Sequence, residues 1–350
     1  MRGFLDRDFI RTTENLLFCV IGGVHSRNRV ISYLKYVPSL EGRWGNGEDR
    51  YARTMQTYTI PSLLKNIEIL ANNYPHYVFN SRVYRIKMSA VPRKHVKEHY
   101  LPEQKLQELM TSERPDTLQE QANNLVSYLS EKSCVATTSF GVTGSILLNI
   151  HQQAFSDIDL VIYGYKNSIK VKETLINEFK CTRFLLKTRS EEERVRLQKR
   201  WSRAYSISLA EAKQFYNRRW NFGYIDNTAF SIHPVKTRKE IKDKYGMNLF
   251  FPENIVKGTT RITDVSESLF LPCKYMVEEF ESKQTTIKEI NHVVSYDGFY
   301  SGVFNAGDRI EVKGKLERVF SKKTGENSYR ILIGSPEARG QDYIKPLNTA

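Results

Sequence analysis

The chain contains little cysteine and no long apolar segment. Only four of its 350 residues are cysteines and none forms a CxxC pair, which excludes a zinc ribbon and a dithiol redox site. No segment approaches the ~20 consecutive apolar residues of a membrane span, and the first eight residues carry no apolar stretch after their charges. We therefore expect neither a signal peptide nor a membrane partner. We expect a protein of the reducing cytoplasm whose thiols are buried as small apolar residues: Cys19, Cys134, Cys181 and Cys273.

Acidic residues are fewer than basic ones. The chain has 53 Lys and Arg against 39 Asp and Glu, a net charge of +14. Between Cys181 and Lys244 there are 16 Lys and Arg against 7 Asp and Glu, so more than half of the surplus lies in this stretch. A basic surplus of this size attracts polyanions, of which nucleic acid is the commonest in a cell.

The length predicts two or three domains, and the order of predicted elements indicates an α+β protein with three parts. Residues 1–112 are β-rich with short helices, residues 113–247 alternate between strands and helices, and residues 248–350 are β-rich and typical of a small antiparallel barrel. The first part is predicted to contain helices at Ile60–Asn72, between Pro92 and Pro102, and at Leu101–Met110.

The middle part is predicted to form a mixed sheet with helices. Asp116 is a good N-cap for a helix to about Lys132, and two capping boxes, Ser190–Glu193 and Ser208–Glu211, predict two more helices. The remaining expected elements are strands at Val135–Val142, Ser156–Gly164 and Thr228–His233, and helices at Gly144–Gln152 and Ser168–Phe179.

Two features within residues 140–164 predict phosphate chemistry. The predicted strand carries Gly141, and Gly144-Ser145 opens the following helix, so these three are the candidate nucleotide-binding residues. A glycine at the helix start lets a phosphate approach the backbone, and the serine hydroxyl adds a donor. Asp157 and Asp159 lie two apart on the next strand, so both carboxylates leave from one face. Paired carboxylates suit Mg²⁺ or Mn²⁺, which assist phosphoryl transfer.

This arrangement resembles the glycine-serine and paired-aspartate motif of the DNA polymerase beta-like nucleotidyltransferase superfamily. The resemblance covers roughly residues 116–235, and the three-part layout resembles an archaeal family of predicted nucleotidyltransferases. It implies a nucleotide triphosphate substrate, a catalytic metal at Asp157 and Asp159, and a third carboxylate on a later strand. At the matching strand, Ser231 or His233 occupies the expected place, and Asp226 lies just upstream as the candidate third acid.

One predicted helix carries a basic stripe next to the proposed site in sequence. Arg196, Lys199, Arg200 and Arg203 recur at spacings of three and four, which places them on one face. A solvated face is the alternative to contact with nucleic acid or a triphosphate. The pattern His95-Val-Lys-Glu-His99 matches a zinc metalloprotease motif, but the bracketing prolines leave too little helix for that site.

The sequence thus predicts a metal-dependent enzyme that moves a nucleoside monophosphate from an NTP to an acceptor hydroxyl, most plausibly on RNA. Two alternatives remain open: a catalytically silent nucleic-acid-binding protein on the same fold, and a transferase acting on a small-molecule or protein acceptor. The geometry of the third carboxylate separates the first two, and the basic surplus favours nucleic acid over the third.

Overall fold

A computed structural model describes residues 2–180, 185–287 and 289–347. These residues form a mixed α+β structure with three sheets, one in each part of the chain. The N-terminal sheet is antiparallel and has the order β4-β5-β3-β2-β1-β8, with β7 paired to β3 and β6 to β7. Its strands are β1 (Phe9–Thr12), β2 (Leu17–Val20), β3 (Arg29–Pro38), β4 (Trp44–Asn46), β5 (Asp49–Arg53), β6 (Val78–Ser81), β7 (Ile86–Pro92) and β8 (Val96–Tyr100).

Helix α1 (Ile60–Asn73) confirms the first predicted helix, with Pro61 in its first turn. The short helix predicted between Pro92 and Pro102 is wrong. That segment is a single 3₁₀ turn, Arg93–His95, followed by β8, which pairs with β1 in the register Phe9 to Tyr100. Pairing with a strand more than 80 residues away outweighs the preference of this short segment for a helix.

The middle sheet is mixed, with the order β11-β12-β13-β10-β9. Strand β10 lies parallel to β13 and antiparallel to β9, and its apolar side chains are buried on both faces. The elements of this part are α2 (Pro102–Thr111), α3 (Thr117–Ser133), β9 (Phe140–Thr143), α4 (Gly144–Leu147), β10 (Ile158–Tyr163), α5 (Tyr165–Glu178), β11 (Leu186–Lys187), α6 (Glu191–Ala204), α7 (Leu209–Asn217), β12 (Phe222–Ile225) and β13 (Thr228–Val235).

Three helices of the middle part begin as the sequence predicts. Asp116, Ser190 and Ser208 each accept a hydrogen bond from the backbone N–H three residues on, and the side chain at that third position returns a bond in all three cases. These reciprocal bonds satisfy amide groups that a helix start leaves without partners.

The helix predicted after Gly144 is much shorter than expected. It ends at Leu147, and Asn149 adopts a left-handed conformation with φ of 56°. Leu147, Leu148 and Ile150 then pack against Phe9 and other apolar residues of the N-terminal sheet. The apolar residues from Leu147 to Ile150 thus connect the middle part to the N-terminal sheet and do not continue the helix.

The C-terminal sheet closes into a five-stranded barrel with the circular order β14-β15-β16-β18-β17 and back to β14. The sequence predicted an antiparallel barrel, and this is wrong for one pair of strands, because β16 and β18 run parallel. A sixth strand adds to β17. The strands are β14 (Asn248–Asp264), β15 (Cys273–Glu281), β16 (Ile290–Ser295), β17 (Arg309–Ser321), β18 (Asn327–Ile333) and β19 (Tyr343–Pro346).

The packing of helices crosses the predicted boundaries. Leu106 and Leu109 of α2 join the core of the middle sheet, although residues 1–112 were assigned to the N-terminal part. Ala212 and Phe215 of α7 join the core of the barrel. The boundary before residue 248 coincides with the start of β14.

Within the described ranges, no helix is both long and apolar enough to cross a bilayer. Cys19 and Cys273 are buried, as expected, whereas Cys134 is exposed. Cys134 is the left-handed C-cap of α3, a position at the surface. Cys181 lies outside the described residues.

Candidate functional site

The two predicted metal ligands lie at the mouth of the middle sheet. Asp159 is in β10 between Thr143 of β9 and Ser231 of β13, and its side chain is 19% exposed. Asp157 immediately precedes β10 and is exposed. Both line one cavity of about 940 Å³, which residues of all three parts of the chain enclose. The structure therefore brings these two carboxylates together.

The two carboxylates differ in how readily they ionise. The charge of the neighbouring Asp159 raises the pKa of Asp157 to about 6. Burial alone would raise the pKa of Asp159, but contact with His233, the charge of Lys35 and the hydrogen bond from Ser231 hold it well below its usual range. Two adjacent carboxylates repel each other when both are charged, and a cation between them removes that repulsion.

Ser231, rather than a third carboxylate, lies beside Asp159 on β13. The Ser231 hydroxyl donates to Asp159 Oδ1 at 2.5 Å, and His233 Nε2 lies 2.9 Å from the same hydroxyl oxygen. Because the serine proton points to the carboxylate, the histidine must donate from Nε2. Burial, followed by the charge of Arg7, lowers the pKa of His233 to about 4, so the ring is neutral at neutral pH.

Asp226, the candidate third acid, does not join the site. It is exposed in the tight turn between β12 and β13, with φ of 44°. Ser231, the register partner of Asp159, is the fourth residue of β13 and lies roughly 10 Å from the start of that strand at about 3.3 Å per residue, and Asp226 is in the turn before that start. Asp226 is therefore a turn residue in this structure and lies apart from Asp157 and Asp159.

The glycines have structural roles around Asp159. Gly144 has φ of 69°, and a Cβ there would lie 2.5 Å from Asp159 Oδ2. Gly141 is pressed against α2, where a Cβ would lie 2.7 Å from the backbone of Pro102. Gly144 and Ser145 are buried, and neither is among the residues that line the cavity. The helix start expected to bind phosphate is therefore a single buried turn that does not line the cavity.

Cationic side chains from the N-terminal part of the chain line the same cavity as the two carboxylates. Lys35 of β3 is 6% exposed, and Arg7 and Arg53 line the same space. The Lys35 ammonium lies 5.2 Å from the ring of Phe9 and 5.8 Å from that of Tyr58. Among the described residues it makes no ion pair. Burial lowers the pKa of Lys35, but Tyr58, Tyr36 and Asp159 outweigh burial and raise it above the ordinary value.

No sequence pattern described above identified these cations. A signal was present for Lys35, because it lies in a mostly apolar strand, where a lysine is expensive to bury without a function. No comparable signal marks Arg7 or Arg53. Their role depends on how the N-terminal sheet docks onto the middle sheet, for example through the bond from Thr143 Oγ1 to the carbonyl oxygen of Arg7 at 2.7 Å.

The predicted basic stripe forms a continuous exposed surface on α6. Arg196, Lys199, Arg200 and Arg203 are all exposed, and together they line a shallow depression. Within the described part of the chain, none of the four forms an ion pair. Arg200 also lines the large cavity, so the basic surface runs from the helix to the cavity edge.

Comparison with known proteins gives a relative without an assigned activity. The chain is similar to a protein of Methanocaldococcus jannaschii described as uncharacterized protein MJ1086, at 29% identity over 342 residues that cover 97% of this chain and 98% of the relative. No protein-family model matches the chain, and no solved structure matches it. The similarity thus extends over the N-terminal sheet, the middle sheet and the barrel.

Proposed function

We propose that the protein is a metal-dependent nucleotidyltransferase that moves a nucleoside monophosphate from an NTP to a hydroxyl group on RNA. One observation carries the proposal: Asp157 and Asp159 line the same cavity as a buried lysine, Lys35, whose charge acts on both carboxylates. The volume, about 940 Å³, falls within the range of roughly 300–1,000 Å³ that small-molecule sites occupy.

The acidic side of the cavity fits a divalent cation. Asp157 and Asp159 offer hard oxygen ligands, and Asp157 has no ion-pair partner in the described ranges. Mg²⁺ prefers one or two carboxylates together with phosphate oxygens and water. When bound there, the ion would neutralise the triphosphate and the developing negative charge of the transfer reaction. Ser231 and Gly144 fix the orientation of Asp159 for this role.

The cationic side of the cavity fits the phosphates. Lys35 is held by three aromatic rings, including those of Phe9 and Tyr58, so its ammonium is positioned before any ligand arrives. A phosphate oxygen would supply the anionic partner that the described residues do not. Tyr58 lines the cavity next to Lys35 and is 45% exposed, which offers a face on which a base can stack.

The basic surface on α6 supports a polyanionic acceptor. It is continuous with the cavity through Arg200, so a strand bound along α6 would bring its terminus to the carboxylates. The closed five-stranded barrel is also the architecture of OB-folds, which bind single-stranded nucleic acids, and supports the proposal by analogy.

The test is transfer from labelled nucleotides. The protein is incubated with each of the four α-labelled NTPs, with Mg²⁺ or Mn²⁺, and with RNA, and label on RNA is measured. We expect label with the wild type and none with the Asp157→Asn/Asp159→Asn variant. Asp226→Asn is the matched control, because it removes the same charge from an exposed turn and should leave transfer intact. Label on the protein itself or on a small-molecule acceptor would replace RNA as the acceptor, and label on no acceptor with any nucleotide would contradict the proposed activity.

The residue beside Asp159 on β13 favours a second function. Because Ser231 rather than an acid lies beside Asp159, the same fold would serve a catalytically silent protein that binds nucleic acid. That function predicts RNA binding through α6 without transfer of any nucleotide. RNA binding that persists in the Asp157→Asn/Asp159→Asn variant, with no labelled product from the wild type, would establish it.

A further inference from the structure

A second group of metal-ligand side chains lies at one end of the N-terminal sheet, on residues for which the proposed transfer has no role. Glu14 is in the turn between β1 and β2, His76 is in the 3₁₀ turn after α1, and His95 is in the 3₁₀ turn between β7 and β8. One ligand atom from each lies within 4.8 Å of the other two. Three turns that are far apart in sequence thus direct two imidazoles and a carboxylate to one point.

The distances match those around a single ion. Glu14 Oε1 lies 3.1 Å from His76 Nε2 and 3.5 Å from His95 Nδ1. Ligand atoms about 2.0–2.2 Å from a tetrahedral zinc ion lie roughly 3.3–3.6 Å from one another. We propose that Glu14, His76 and His95 bind a divalent transition metal of the zinc class.

Two imidazoles and one carboxylate disfavour Mg²⁺, the metal proposed for the cavity. Imidazole nitrogen suits Zn²⁺ and its neighbours, whereas Mg²⁺ prefers oxygen ligands alone. A hydrogen bond also orients the Glu14 carboxylate, because the Tyr77 hydroxyl donates to Glu14 Oε2. The Tyr77 ring is fully buried, which fixes the position of this donor. Such outer hydrogen bonds orient the ligands of metal sites.

The metalloprotease pattern in the sequence pairs His95 with His99, and the structure separates them. His99 Nε2 lies 2.8 Å from Asp8 Oδ2 in the buried interior, and the segment is a strand. His95 instead stacks on His76, with ring centres 4.6 Å apart. The three ligands are between 24% and 38% exposed, so a metal has access from solvent and keeps a fourth position for water. Binding would join the three turns and stabilise this end of the sheet.

The experiment uses the full chain carrying Asp157→Asn and Asp159→Asn, so that the cavity carboxylates do not contribute. After treatment with a chelator and its removal, zinc binding is measured by calorimetry and by competition with a chromogenic chelator, with Mg²⁺ in excess. We expect one zinc ion per chain. Tyr77→Phe removes only the hydrogen bond to Glu14 and should weaken binding about 10–100-fold. Glu14→Gln and His76→Gln should abolish it.

His292→Gln is the matched control, because His292 lies on β16 of the barrel, outside the cluster, and this variant should bind zinc like its parent. Zinc should raise the melting temperature of the parent and leave that of Glu14→Gln unchanged. Absence of stoichiometric zinc, or equal affinity in the parent, Tyr77→Phe and Glu14→Gln, would show that these side chains form only a hydrogen-bonded cluster. Neither result depends on nucleotide transfer.

Discussion

At the scale of single residues, Asp159 is the most constrained group in the site. Ser231 donates to it, a Cβ at Gly144 would collide with it, and the charge of Lys35 lowers its pKa. The sequence predicts the carboxylate pair, since a two-residue spacing on a strand is a local property. It also identified Ser231 and His233 as occupants of the third position, but it did not predict that they form a hydrogen-bonded chain to Asp159.

Replacing Ser231 tests whether a cation belongs next to Asp159. Ser231→Asp places a second negative charge in register with Asp159, at a cost on the order of 1–4 kcal/mol without metal. The melting temperature should therefore fall, and Mg²⁺ should restore it. Asparagine has nearly the same shape as aspartate but no charge. The melting temperature of Ser231→Asn should therefore respond to Mg²⁺ little more than that of the wild type does. Equal Mg²⁺-induced shifts in the two variants would argue against a metal at this position.

Gly144 offers a second test with a matched control. Gly144→Ala and Gly47→Ala each force alanine into a left-handed conformation, which costs about 1–2 kcal/mol. A Cβ at Gly47 meets open space, whereas a Cβ at Gly144 meets Asp159 Oδ2. We expect Gly144→Ala to lower the free energy of unfolding more than Gly47→Ala does and also to weaken Mg²⁺ binding. Denaturant unfolding and metal titration measure both, and identical behaviour of the two variants would contradict the account.

At the scale of elements, features set by neighbouring residues were predictable. The N-terminus of α3, α6 and α7 follows from capping boxes that need only four residues each. Strand β8 and the early end of α4 were not predictable in this way. Their conformations depend on pairing with β1 and on packing against Phe9, both distant in sequence. The parallel pairing of β16 with β18 is likewise a long-range property.

The basic face of α6 makes a prediction about salt. Each phosphate contact on a single strand contributes about −0.7 to the slope of log affinity against log salt. Alanine at Arg196, Arg200 and Arg203 should therefore weaken RNA binding and make the slope less steep by about 2. The charge-matched control replaces exposed lysines on α3 and α5 with alanine: Lys132, Lys166 and Lys170. RNA titrations between about 50 and 200 mM salt measure both slopes. If the two triple variants change the slope equally, α6 is only a solvated face.

At the scale of the whole molecule, the site is a property of the assembled parts. The middle sheet supplies Asp157 and Asp159, the N-terminal sheet supplies Lys35, and residues of the barrel close the remaining wall. The sequence predicted three parts and a local motif in one of them. It did not predict that the parts enclose one cavity, because their docking rests on contacts such as those of Arg2 with Glu103 of α2 and of Thr143 with Arg7.

The measurement that tests this account most directly is NTP affinity with and without Mg²⁺. The wild type should bind one NTP per chain, more tightly with Mg²⁺. Lys35→Met retains a long apolar side chain and should weaken binding by about 1.5–3 kcal/mol, the value of a hydrogen bond to a charged group, whereas Lys65→Met on the exposed face of α1 should not. Asp157→Asn/Asp159→Asn should abolish the Mg²⁺ effect. Unchanged affinity and Mg²⁺ dependence in both the Lys35→Met and the double aspartate variants would contradict the claim that these residues form a nucleotide site.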